Sequence, residues 1–147
     1  VAKLLSRMFK ATLLGFHFLT SLLLSGYKGE TTVVHNLPEL ITTTEETEIE
    51  MIILKDNFEG PAKLVIDWSK TNVHITEGFS SGASFSYNNK KSLFIWYSIE
   101  SDNIITLTYK IKGKLNDAHQ KVTGYFYYVK NGETIKVPVM PTVKIPS

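Results

Sequence analysis

Three observations predict an all-β fold for this chain, an antiparallel β-sandwich of about eight or nine strands. Apolar residues alternate with polar ones at period two, in stretches rich in β-branched and aromatic side chains. Clusters of Gly, Pro, Asn, Asp and Ser break those stretches at intervals of about 8–12 residues. Beyond Glu30 no stretch repeats its apolar residues at the spacing of an amphipathic helix.

The elements follow in order. Residues 31–35 are a short candidate strand. Residues 47–54 set Glu48 and Glu50 against Ile49, Met51 and Ile53, so Glu45, Glu46, Glu48 and Glu50 read as a solvated strand face. Asp56-Asn57 and Gly60-Pro61 supply turn chemistry. Residues 63–68 place Leu64, Ile66 and Trp68 on one face and Lys63, Val65 and Asp67 on the other. A short strand at 73–75 turns His74 away from Val73 and Ile75. Residues 83–87 put Phe85 and Tyr87 on one face. Residues 93–97 (LFIWY) are apolar on both faces, the pattern of a central strand. Residues 104–112 send Ile105, Leu107, Tyr109 and Ile111 inward and Thr106, Thr108, Lys110 and Lys112 outward. Two strands, 122–130 and 133–139, flank Asn131-Gly132, a pair that tolerates the positive φ of a type I′ hairpin turn. Pro138 and Pro141 lack an N–H, which predicts that the last strand is an edge or leaves the sheet there. Residues 143–145 are a weaker candidate.

The N-terminus reads differently. Residues 1–10 carry Lys3, Arg7 and Lys10 and no acid, residues 11–24 are largely apolar, and Ser25-Gly26 precede the first polar run. This is the layout of a signal peptide, with a cut after Gly26. An uncleaved membrane anchor and an amphipathic helix packed on the domain are the alternatives. Signal peptide and anchor both predict export of residues 27–147 as one domain, to the periplasm, cell surface or medium.

The 147 residues are 43% hydrophobic and 12% aromatic, too apolar for a disordered chain. The formal charge of +2 comes from the leader: without residues 1–26, thirteen basic groups face fourteen acidic ones. Arg7 is the only arginine. A domain with no basic excess and no arginine does not suit nucleic acid. Absence of cysteine excludes disulfides, thiolate metal sites and a cysteine nucleophile.

Chemistry is sparse. His35, His74 and His119 are the candidate bases or metal ligands, but their spacing is wide and each reads as a surface or strand-edge histidine. Asp56, Asp67, Asp102 and Asp117 lie in or beside turns and form no calcium-loop motif. Ser80-Ser81-Gly82 reads as a turn, not a nucleophile elbow. No pair of carboxylates stands out as glycosidase machinery, and no cofactor, metal or catalytic residue is expected. The aromatics are more suggestive. In Tyr125-Phe126-Tyr127-Tyr128, a core role for Phe126 and Tyr128 leaves Tyr125 and Tyr127 facing outward, where rings with an apolar body and a polar tip favour binding. Ordinary cross-strand pairing is the plainer reading of the two rings. Trp68 and Trp96 read as core, and residues 79–85 as a loop able to rim the tyrosine face.

The stretches EIEMIILKDNFEGPAKLVIDW, ITEGFSSGASFSYNNKKSLFIWYSIESDNIITLTYKIKG and VTGYFYYVKNGETIKVPV cover about two thirds of the chain. They resemble the strand–turn–strand opening, central block and closing hairpin of exported bacterial Ig-like and cohesin-like sandwich domains, including small envelope proteins of Bacteroidota. The resemblance implies a non-catalytic envelope or cell-surface module that binds a protein partner through a sheet face. A carbohydrate-binding module that uses its outward aromatics on polysaccharide is the alternative. Membrane contact is expected only through an uncleaved N-terminal segment.

Overall fold

A computed structural model describes residues 30–55, 58–99 and 103–141. The leader, Asp56, Asp102 and the candidate strand at 143–145 lie outside the described residues. Nine strands form: β1 (Thr32–His35), β2 (Glu46–Leu54), β3 (Gly60–Asp67), β4 (His74–Glu77), β5 (Ser84–Asn88), β6 (Lys91–Ile99), β7 (Ile104–Lys112), β8 (Thr123–Lys130) and β9 (Glu133–Pro141). One helical turn, α1 (Ala118–Lys121), precedes β8. It stands where turn chemistry was read, and its N-cap Asp117 is left-handed (φ 49°).

The strands make one mixed sheet in the order β4-β7-β2-β1-β9-β8-β3-β6-β5. Every neighbouring pair is antiparallel except β1 and β9, which run parallel. The sheet curls until its two edges meet. The Tyr87 hydroxyl donates to the Val73 carbonyl at 3.1 Å, and His74 stands edge-on to the Tyr87 ring at 5.3 Å between centroids. The result is a nearly closed barrel wrapped around one core.

Turn chemistry sets the hairpins. Asn131 (φ 53°) and Gly132 (φ 77°) join β8 to β9 with Lys130 opposite Glu133, as the type I′ reading requires. Asn89 and Lys90 (φ 51° and 57°) do the same between β5 and β6. Three expectations are corrected. First, β9 is not an edge. It pairs with β8 up to Pro138 and with β1 from Val139 onward, so Pro138 sits where the strand changes partner, and its missing N–H matters least there. Second, β6 is not central. Its inner residues Phe94 and Trp96 are core, while Leu93, Ile95 and Tyr97 face out. Third, Glu50 is 5% exposed rather than solvated.

The inward faces match the alternation in the sequence. Trp68, Tyr109, Phe94, Phe126, Met51, Leu64 and Leu107 are all fully buried. Each large apolar side chain taken from water contributes about 1.5–3 kcal/mol. Gly124 lets β8 approach β3: a Cβ there would lie 2.5 Å from Ile66 Cδ1 and 2.9 Å from the Val65 carbonyl. Polar side chains that enter the core pair with one another. Trp68 Nε1 donates to Ser92 Oγ at 2.8 Å, and His35 Nε2 lies 2.5 Å from the Tyr109 hydroxyl. His35 also meets the edge of Trp68 at 6.0 Å. It was read as a surface histidine, yet it is buried, because it follows Val33 on the inward face of β1.

Burial, and then the charge of His119, lower the His35 pKa from 6.5 to about 3. Burial also raises Tyr109 well above its ordinary value. The imidazole is therefore neutral and accepts, and the phenol donates. Unfolding releases His35 to titrate near pH 6.5, so its contribution to stability is complete above that pH and is lost as pH falls toward 3. In His35→Gln, whose amide accepts a hydrogen bond but does not titrate, urea unfolding between pH 6.5 and 4.5 will lose less stability than in wild type. The expected difference is up to about 1.4 kcal/mol per pH unit. At a second site, Gly124→Ala should cost about 1–3 kcal/mol by overpacking. Adding Ile66→Val, which removes the nearest clashing atom, should make the double variant's denaturation loss smaller than the sum of the two.

Candidate functional site

The outer face of β6, β3, β8 and β9 carries Tyr125 and Tyr127. Cross-strand register puts the residues in rows. Ile95, Lys63, Tyr127 and Lys136 lie abreast, and Leu93, Val65, Tyr125 and Pro138 form the next row. Phe126 and Tyr128 point the other way, 0% and 5% exposed. Tyr125 is 39% exposed, Val129 is 37% exposed, and Tyr97, at the end of β6, is 81% exposed.

The rings are not bare. Lys136 Nζ stands 4.0 Å from the centroid of Tyr125 and 5.9 Å from that of Tyr127, and Lys63 Nζ stands 4.8 Å from Tyr127. Both lysines sit directly opposite Tyr127 in the ladder, so the contacts follow from register. The two tyrosines lie 6.5 Å apart with ring planes inclined at 50°. They do not form the flat platform that stacking on successive sugar rings needs. Beside them a shallow groove of about 410 Å³ runs between Pro61, Lys63, Tyr97, Tyr127, Val129 and Thr134. Sequence reasoning missed Tyr97, Lys63 and Lys136. The lysines were legible from alternation, since Lys63 falls opposite Leu64 and Ile66, but their positions over the rings depend on strand order.

The other candidates are scattered. Trp68 and Trp96 are core, and Trp96 Nε1 donates to the Ser81 carbonyl at 3.0 Å. That bond ties the loop after β4 to β6, while the Phe79 carbonyl accepts from Thr108 N on β7, so Phe79 lies toward β7 and away from the tyrosines in strand order. Ser80 Oγ donates to Glu77, and the turn at Ser81-Gly82 has positive φ at both residues. His119 has both ring nitrogens occupied, Nδ1 with Glu39 at 2.8 Å and Nε2 with the Leu37 carbonyl at 3.0 Å. His35 and His119 border a small cavity of about 160 Å³ whose wall is otherwise mostly apolar. His74 is exposed against Tyr87. Asp67 accepts from Ser69 N at 2.8 Å, and that bond holds its carboxyl below the usual carboxylate range. Burial, with Glu48 nearby, raises Glu50. Among the described residues no three His, Asp or Glu side chains converge on a metal position. No helix among them is long and apolar enough to cross a membrane.

No protein-family model and no curated protein matches the sequence. Two crystal structures of a GH20 exo-β-N-acetylglucosaminidase from Vibrio harveyi, one with N-acetylglucosamine and one of an inactive mutant, are similar to this chain at TM-score 0.45 and 7% identity. The likeness covers 77% of this chain and 18% of that enzyme, so the chain spans less than a fifth of its length.

Proposed function

We propose that this chain is a non-catalytic interaction module, an exported Ig-like or cohesin-like β-sandwich whose outer face on β6, β3, β8 and β9 binds a protein partner. The observation that carries the reading is the apolar and aromatic face of exposed Tyr97, Tyr125 and Val129 and half-buried Tyr127, with Lys63 and Lys136 set into it. Rigid tyrosines bury a large area on binding at small cost in side-chain entropy. The two ammonium groups give the face a positive character without opposing acids in the same rows. The partner surface it suits is apolar at its centre and acidic at its rim. The inclination of the rings and the lysines above them favour protein over the carbohydrate-module alternative, since a sugar would have to displace the ammonium groups. The engagement of His35 and His119 within the fold supports a non-catalytic role. Export rests on the leader-like composition of residues 1–26.

Tyr125→Ala with Tyr127→Ala should abolish partner capture while lowering the melting temperature by only a few degrees, since exposed cross-strand pairs contribute about 0.2–1 kcal/mol each. The test is a quantitative pull-down with wild type and double variant, run beside a glycan array. Proteins enriched on wild type and lost with the variant support the reading. Array binding lost with the variant would transfer it to carbohydrate, and a collapse in melting temperature would assign the rings to stability. Lys63→Glu with Lys136→Glu should weaken capture at least tenfold and reverse the sign of its salt dependence, since salt then screens a repulsion.

A further inference from the structure

The chain between β1 and β2 crosses the end of the barrel as a strap, residues 36–41. Backbone bonds anchor both its ends. The Asn36 amide donates to the Glu50 carbonyl at 3.0 Å, and Ile41 and Leu115 exchange two bonds at 2.7 and 2.9 Å. Between these anchors α1 grips the strap. The Glu39 carbonyl accepts from Ala118 N and the Glu39 carboxylate from His119 N, both at 3.1 Å. The His119 ring adds two contacts: Nδ1 lies 2.8 Å from Glu39 Oε2, and Nε2 lies 3.0 Å from the Leu37 carbonyl oxygen. A carboxylate and a backbone carbonyl can only accept. A neutral imidazole has one N–H and one lone pair, so in either tautomer one ring nitrogen would turn its lone pair on an oxygen. Only the doubly protonated ring donates to both.

We infer that His119 is a proton-dependent latch, which as imidazolium fastens the strap to α1 and on losing one proton lets go of Leu37. The charged acceptor holds a donor more strongly than the neutral carbonyl does, so the N–H that remains stays with Glu39 and Nε2 faces the Leu37 oxygen bare. The side chains of His119 and Glu39 are 31% and 43% exposed, so the proton exchanges with solvent. The two end anchors are backbone bonds and do not titrate. Other ionisable groups surround the ring without taking either of its contacts. His35 on β1 and Tyr125 on β8 border the same small cavity, and β9 brings only Pro138, Val139 and Pro141 to it. On α1 itself Asp117 is the N-cap, and Lys121 is held by Asn116. Leu37 and His119 are part of the cavity wall, so an open strap widens the cavity and uncovers Leu37 and Ala118, which are buried when it is shut. The latch is shut at low pH and opens as pH rises through the range where imidazoles deprotonate. His35 acts in the opposite sense, since its contribution to stability is lost as pH falls. The tyrosine face plays no part in it.

Amide hydrogen exchange on the full chain, corrected for its intrinsic pH dependence, tests the latch. The Ala118 and His119 amides should be about tenfold less protected at about pH 8 than at about pH 5.5, while Leu64 in β3 changes far less. No step, or an equal step at Leu64, would overturn the inference. His119→Gln should show no step, and a step that persists there would overturn it as well. Glu39→Gln can donate to a bare ring nitrogen or accept from an N–H, so its step should shrink below about threefold; a full step would count against the latch. Nitrogen-15 spectra of wild type read the ring directly, whatever the variants do. Both ring nitrogens of His119 should carry hydrogen while the two amides are protected, and a ring with a single N–H in that state would sink the proposal.

Discussion

The parallel contact of β1 with β9 is the join on which the rest of the molecule depends. Only three residue pairs make it, Val33 with Val139, Val34 with Met140 and His35 with Pro141. Without them the strands fall into two antiparallel groups, β4-β7-β2-β1 and β9-β8-β3-β6-β5. With them the groups become one sheet that curls until β4 and β5 touch. The contact links residues about a hundred positions apart, so its loop-closure entropy is met late, after the hairpins exist. A nine-residue β9 makes this possible. Its first part completes the hairpin with β8, and its last residues reach across to β1.

The same join places the chemistry. Fixing β1 in the sheet drives Val33 and His35 inward, and His35 becomes a core residue held between Trp68 and Tyr109. A neutral imidazole in that position is an apolar ring with one satisfied acceptor. It cannot serve as a base exchanging protons with solvent near neutral pH, because burial holds its pKa near 3. Among the described residues, the most deeply buried histidine thus acts on stability and its pH dependence.

Much of the architecture was legible because it is local. The period-two alternation of residues 104–112 matches the burial of Ile105, Leu107, Tyr109 and Ile111, and Asn131-Gly132 makes the hairpin its chemistry demands. What was not legible is non-local. Strand order decides that β6 lies next to an edge, so an apolar run on both faces reflects one core face and one outer face. Glu50 carries the same sequence signal as Glu48, two residues earlier in the same alternation, yet it is buried and Glu48 is exposed. No local pattern separates them. Pro138 signalled a break in pairing correctly, but a change of partner and an edge look identical in one dimension. The outward direction of Tyr125 and Tyr127 followed from parity with Phe126 and Tyr128. The lysines beside them required knowing that β3 and β9 flank β8.

The two outer faces solve one physical problem in opposite ways. A barrel this size has too few polar residues to clothe both sides of every strand, and a large bare apolar face invites association. On β3, β8 and β9 the rings lie under lysine ammonium groups, which give an aromatic face a charged cover and hold the rings in place. On β1 and β2, by contrast, Val34 and Ile52 are closed off as fully as the core itself. Burying Glu50 beside them raises its pKa and opposes ionisation. The two faces therefore differ in exposure: on one the rings lie under lysine side chains near water, and on the other the aliphatic side chains are withdrawn from it.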